Sequence, residues 1–230
     1  GTKSEKVFPG LDAAKIDELK VKSQSGDVTT LKKTDGVWSI VQPITAPASD
    51  TDASGVANIL ADMDVVRVVD ETPADLKEYG LDAPLMEIDF KADGGKMTGR
   101  ILVGPKTATA GNLYARRDDQ KRVVLIGQFH EAGLNKSTFD LRNKQIVKFE
   151  RAKVDGINLN IGGKLGELSK TGDDWRLVKP VASRADNSAV DGLLANLGAA
   201  EMKSVASATP TADDLKKFGL DKPAVTIVLR

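Results

Sequence analysis

The residue types that could do chemistry are few, and most of them sit where a turn or helix begins. His130, in GQFHEAG, is the single histidine of the chain. One imidazole cannot assemble a histidine-rich metal centre, and no HExxH, GxSxG or triad-like grouping surrounds it. A surface or capping position at the start of a short helix is the favoured reading. Carboxylates adjoin at Asp50 and Asp52, Asp118 and Asp119, Asp173 and Asp174, and Asp213 and Asp214, the residue types of a calcium loop or a glycosidase pair. None has the calcium-loop spacing, and each falls where Asp accepts orphan backbone N–H groups. GGK at 94–96 and again at 162–164 lacks the glycine spacing and the following Ser or Thr of a phosphate loop. Trp38 and Trp175 have the chemistry of stacking platforms for sugars or bases. Their matching strand positions make them core anchors instead, each with its indole N–H paired nearby.

The run ARRDDQKR at 115–122 is basic at both edges and acidic in the middle. It lacks the aromatic interleaving of a single-strand binder and reads as a solvated hairpin that blunts an edge strand. The sequence therefore offers no catalytic residue, no metal ligand and no cofactor site, and it leaves any ligand-binding residues unidentified. An enzyme would need Asp82, His130 or Arg142 joined in one cleft.

Composition narrows the classes further. With 230 residues, 40% hydrophobic and 29% charged, the chain is globular and long enough for one large or two ordinary domains. Its 33 basic residues balance 33 acidic ones, so no global field favours nucleic acid or an anionic membrane. The absence of cysteine removes disulfides, thiolate zinc sites and thiol nucleophiles, and is compatible with an oxidising or a reducing compartment. No apolar run approaches the 18 or so residues of a membrane span. The opening GTKSEK, without Met, reads as a cut or processed start, and the final AVTIVLR as a strand stopped inside a domain.

The elements that must position these residues occur twice. LKKTDGVWSIVQP, from Leu31 to Pro43, matches LSKTGDDWRLVKP, from Leu168 to Pro180, with six identities in thirteen, both tryptophans included. DLKEYGLDAP at 75–84 recurs as DLKKFGLDKP at 214–223 with seven identities in ten. A repeat is one supersecondary unit used again. Two copies run from about 11 to 91 and from about 149 to 230. The segment 92–148 completes the first, giving modules at 11–148 and 149–230.

IDELKVKS, DVTTLKKT and VWSIVQP predict an antiparallel meander. A helix follows, started by the polar cluster Ser49 to Asp52 and facing the core with Ala53, Val56, Leu60 and Met63. Val190, Leu193, Leu194 and Leu197 repeat that stripe. GRILVG, NLYARR and RVVLIG predict three further strands, with turns at 93–95 and 118–121, before short helices in GQFHEAGLNKSTFDLRNK. Arg230 aligns with Lys91, so about 60 residues of a second full unit are expected to be missing, on the premise that repeats share their length.

The repeated decapeptide itself reads as a short helix. Thr72 and Pro73, and Thr209 and Pro210, supply cap and first turn; Gly80 takes the left-handed conformation past the helix end. Leu81 returns to Leu76, and Pro84 prevents the helix from resuming. Asp82 and Asp221 are not demanded by the cap, and a local turn hydrogen bond is preferred to a catalytic role for them.

In this order, WSIVQP, the amphipathic helix, YGLDAP, ILVG at 101–104, NLYAR at 112–116 and DLRNK at 140–144 resemble the bacterial family known as domain of unknown function 4340. The resemblance covers one full unit and one partial unit. It implies a single-pass inner-membrane protein whose bulk lies outside the cytoplasm, often encoded beside ABC-type transport components, and it carries no catalytic residues. The expectation is an α+β fold of two tandem modules, the second incomplete, serving as a non-enzymatic extracytoplasmic interaction domain. Its partners would be transporter proteins met in a groove between the copies; nucleic acid is not expected, and the membrane only through an anchor. The alternative is an envelope module binding a glycan, peptide or lipid, for which 4% aromatics is a poor supply.

Overall fold

The computed structural model describes residues 4–109 and 111–230. The GTK start, on which the reading of a processed N-terminus rests, lies outside the described residues. The chain divides into two compact units, residues 1–143 and 144–230.

In the first unit β1 (Ile16–Lys22), β2 (Val28–Thr34) and β3 (Val37–Gln42) form the predicted meander, and β4 (Ala46–Pro47) adds a short fourth strand. Period-two alternation sends Leu19, Val21, Leu31, Trp38 and Ile40 to one buried face. Ile16 would fall out of phase, but the register between β1 and its neighbour slips between Ile16 and Glu18. That bulge returns Ile16 to the core side. Helix α1 (Asp50–Asp62) starts at Ser49, whose hydroxyl accepts the Asp52 N–H at 3.3 Å. Its stripe Ala53, Val56 and Leu60, with Met63 at the C-cap, is fully buried against the sheet.

After α1 the chain crosses to the far side of the sheet as β5 (Arg67–Asp70), then returns through a 3₁₀ turn (Lys77–Tyr79) to β6 (Met86–Ala92), which lies beside β1. Strands β7 (Met97–Lys106), β8 (Leu113–Arg117) and β9 (Val123–Ile126) follow, closed by α2 (Glu131–Leu134) and α3 (Thr138–Leu141). The nine-stranded order is β4-β3-β2-β1-β6-β7-β8-β9-β5, antiparallel throughout.

Three features were not legible beforehand. β5 is one, because four residues with no clean alternation gain strand geometry only from pairing with β9. The residues before position 11 are another. Val7 and Phe8 are core, Phe8 meeting Phe90 edge-on at 5.0 Å, so the unit begins earlier than the repeat does. The third is the boundary, expected after 148. Ile146 N–H donates to Ala200 O and Met202 N–H to Lys144 O, which ties 144–148 to the second unit. Asn143 N–H donates instead to Pro47 O in the first.

The second unit repeats the first half of this plan. β10 (Gly156–Ile161), β11 (Lys164–Thr171), β12 (Asp174–Lys179) and β13 (Ser183–Arg184) form the meander, followed by α4 (Asn187–Ala199), α5 (Ala212–Lys217) and β14 (Val225–Leu229). The order β13-β12-β11-β10-β14 is that of β4-β3-β2-β1-β6. Even the register is kept: Leu159 faces Ile227 as Val21 faces Ile88. Trp38 N–H donates to Asp50 Oδ1 and Trp175 N–H to Asn187 Oδ1, the same strand-to-helix tie made with two residue types. Val154, Ile157, Leu168, Trp175, Val190 and Leu194 make its smaller core. Leu193 and Leu197 of the expected stripe are only half-buried. The fold is α+β, with two antiparallel sheets and short helices.

Candidate interaction surface

The residues opposite the core on β1, β6 and β7 are charged. Alternation directs Glu18, Lys20, Lys22, Glu87, Asp89, Lys91, Thr98 and Arg100 to the open face of the nine-stranded sheet. Glu18, Lys20, Asp89, Lys91, Thr98 and Arg100 line a shallow depression of about 600 Å³ there, together with Asp118 and Asp119. Glu18 accepts from Lys91 at 2.7 Å and pairs with Lys32 at 3.4 Å; Lys22 reaches Glu87 at 2.6 Å. Arg100 pairs with Asp89, and Arg117 with Asp119 at 2.5 Å. The Lys91 ammonium, donating to Glu18, holds that carboxyl below the usual carboxylate range, and the Asp89 hydrogen bond raises the Arg100 guanidinium.

Exposed pairs of this kind contribute little to folding. Their effect is to fix a pattern of charge on the face of the sheet. Sequence reasoning missed this face because it looked for clustered reactive groups. The available signal was the regular outward register of charge in IDELKVK and MEIDFKA.

The predicted chemical residues do not converge. Asp82 is exposed in the turn before β6, Arg142 at the end of α3 forms an isolated backbone bridge with Ala48 just past β4, and neither lines the depression. His130 is not at the surface: it is 7% exposed and caps nothing with its side chain. The 3₁₀ turn Gln128–His130 points Phe129 outward, at 78% exposure, and draws the imidazole in, with the two rings 4.1 Å apart. Burial lowers its pKa; Asp64 opposes and Lys6 reinforces that shift.

The Asp pairs serve backbone and lysine partners. Asp50 takes the Trp38 N–H, Lys136 binds Asp52 at 2.9 Å, and Asp214 closes a capping box with Thr211. Among the described residues no three His, Asp or Glu side chains gather as a metal site. Both tryptophans are buried, Trp38 at 1% and Trp175 at 2%, so neither is a platform. The expected indole partner fails for Trp38, whose Nε1 has no hydrogen-bond acceptor; Lys33 lies over its ring at 5.7 Å.

The repeated decapeptide is a docking turn in the first unit. Gly80, at φ 60°, ends the 3₁₀ turn; its N–H donates to Lys77 O and the Leu81 N–H to Leu76 O, the Schellman pattern. The start differs from the expected cap. Thr72 caps nothing; Asp70 accepts the Thr72 N–H and the Tyr79 hydroxyl, and Asp75 accepts the Lys77 N–H. In the second unit the cap is Thr211, not Thr209, and α5 is a regular helix.

The turn packs onto the end of β7. A Cβ at Gly104 would meet Tyr79 O at 2.6 Å, and one at Gly80 would meet Pro105 Cδ at 2.7 Å. Two glycines therefore permit the close approach. Tyr79 meets Tyr114 with the ring centroids 5.4 Å apart and the planes tilted at 59°, and Leu81 is 2% exposed.

Among the described residues no helix is long and apolar enough to cross a membrane. No curated protein and no solved structure matches the chain. The family described as domain of unknown function (DUF4340) matches over 38–174 and again over 175–230, dividing the chain between Asp174 and Trp175 just as its first match opens on Trp38. The tryptophan strand, the amphipathic helix and the glycine-stopped turn thus recur within a double match that spans most of the sequence, and the chain belongs to the domain of unknown function 4340 family.

Proposed function

We propose that the chain is an interaction domain, without catalysis of its own, of a membrane-anchored protein that works outside the cytoplasm beside an ABC-type transporter. The observation that carries the reading is the open face of the nine-stranded sheet. Most of its charges are already interlocked in pairs, so it offers a partner protein a surface with a fixed pattern of charge. Such a surface favours specificity and rate of association more than affinity, which suits an accessory subunit. The envelope location and the transporter are what the family resemblance implies. The alternative, an envelope module for a glycan, peptide or lipid, is not helped by two buried tryptophans.

Cross-linking and copurification of the protein from its native envelope test the reading. Recovery with the permease or ATPase subunit of an ABC-type transporter is the expected result, lost when Arg100 and Lys91 are both replaced by Glu. Recovery as a cytoplasmic protein free of such subunits would sink it.

A further inference from the structure

The charges of ARRDDQKR at 115–122 are sorted unevenly by the fold. Arg117 turns toward the core, where it lies over the Phe8 ring at 5.0 Å, donates to Val7 O and pairs with Asp119. Arg122 binds Glu5 and the Gln120 side chain. Asp118 lines the depression on the charged face. Two cations are left over. Arg116 on β8 and Lys121 in the loop before β9 have no carboxylate partner among the described residues.

Both line a separate cleft of about 310 Å³, whose other wall is Thr72, Pro73 and Leu76 from the segment leading into the glycine-stopped turn. Each side of the cleft is held in place. Arg116 Nε donates to Gln120 O at 2.8 Å, which orients the guanidinium and leaves its two terminal nitrogens without a partner among the described residues. Across from it, Asp70 spends one carboxylate oxygen on the Thr72 N–H and the other on the Tyr79 hydroxyl. That pins the Thr72 wall and leaves the Thr72 hydroxyl available to a ligand. No carboxylate lines the cleft.

We propose that this cleft binds a small phosphate monoester. Two positive charges with no acid between them match the charge of about −1.5 to −2 that a phosphate monoester carries near neutral pH, which a single carboxylate does not. The guanidinium fork takes two phosphate oxygens side by side, and the Lys121 ammonium takes the third. The cleft is larger than a phosphate group needs, and Pro73 and Leu76 give the organic part of the ester an apolar wall. The site shares no lining residue with the charged depression, so the inference goes beyond the interaction role and holds whether or not the partner is a transporter.

The probe is phenyl phosphate, titrated into the full chain at constant ionic strength and followed by two-dimensional amide NMR, with inorganic phosphate and benzoate as comparisons. Saturable binding with a Kd of about 1 mM or tighter is expected, with shifts concentrated at Thr72, Leu76, Arg116 and Lys121. Inorganic phosphate should shift the same amides and bind more weakly, because it leaves Pro73 and Leu76 uncovered; benzoate should be weaker by about tenfold. Lys121→Gln, at an exposed position, should weaken phenyl phosphate by about tenfold. Arg116→Lys, which keeps the charge and loses the fork, should also weaken it. An unchanged amide spectrum away from the cleft shows that each variant is folded. Shifts that never saturate and spread over the exposed lysines would overturn the proposal, as would binding that both variants leave unchanged. Benzoate binding as tightly as phenyl phosphate would overturn the assignment to phosphate.

Discussion

The two copies of the glycine-stopped turn share most of their residues and little of their surroundings. In the first unit the turn is pressed onto β7, and Leu81 is buried; in the second the equivalent Leu220 faces solvent. The helix stop is nevertheless identical in both, because the left-handed glycine and its two hydrogen bonds are local. The start is not. Thr-x-x-Asp occurs at Thr72–Asp75 and at Thr211–Asp214, yet only the second makes a capping box.

Two substitutions between the copies account for this. Asp70 captures the Thr72 N–H and the Tyr79 hydroxyl, and its counterparts in the second unit are Thr209 and Phe218, which cannot make that tie. Sequence sets the end of this element, and the strand beside it sets the beginning. β5 teaches the same lesson. It is a strand where β9 is present to pair with it, and residues at the corresponding place in the second unit, near Val205, form none.

The contrast can be broken most forcefully at the leucines. Leu81→Ala should cost about 2–5 kcal/mol of the first unit's stability, while Leu220→Ala should stay within about 0.5 kcal/mol. Denaturant midpoints of the two variants measure the difference, and equal losses would show that both turns are packed. The glycines come next. Gly80→Ala and Gly219→Ala both force a side chain into the left-handed region, at about 1–2 kcal/mol each. Only Gly80→Ala also meets Pro105, so its thermal midpoint should fall further.

Tyr79→Phe sharpens the comparison from the other side. Without the tie to Asp70, residues 72–79 should gain helical chemical shifts toward those of 211–218; an unchanged 3₁₀ turn would place the cause elsewhere. The smallest effect is that of pH. Burial holds His130 below its ordinary value of 6.5, so the unfolded chain takes up the proton first. The stabilising contribution is complete above pH 6.5 and is lost as pH falls from there through the folded value. The second unit has no histidine and should be insensitive in that window; His130→Gln should flatten the response of the first.

Much of this architecture was legible in the sequence, because alternation and turn chemistry are local. The meanders, the stripe of α1 and the strands in GRILVG, NLYARR and RVVLIG all follow from patterns a few residues long. What escaped was decided at a distance. The pairing of β5 with β9, the burial of Val7 and Phe8 under the sheet and the inward turn of His130 all depend on neighbours remote in sequence. The charged face was visible as alternation but not as a site, since its meaning comes from strands β1, β6 and β7 being laid side by side.

The central claim is that one module is used twice, with β6 paired on both edges and β14, among the described residues, paired only with β10. Amide hydrogen exchange on the unliganded chain tests it directly. Arg230 N–H donates to Gly156 O, so the alternate amides of Val225, Ile227 and Leu229 point away from β10. These three should exchange orders of magnitude faster than those of Met86, Ile88 and Phe90, which face β7. Equal protection in the two sets would mean that the β14 edge is already occupied, and the account would fail.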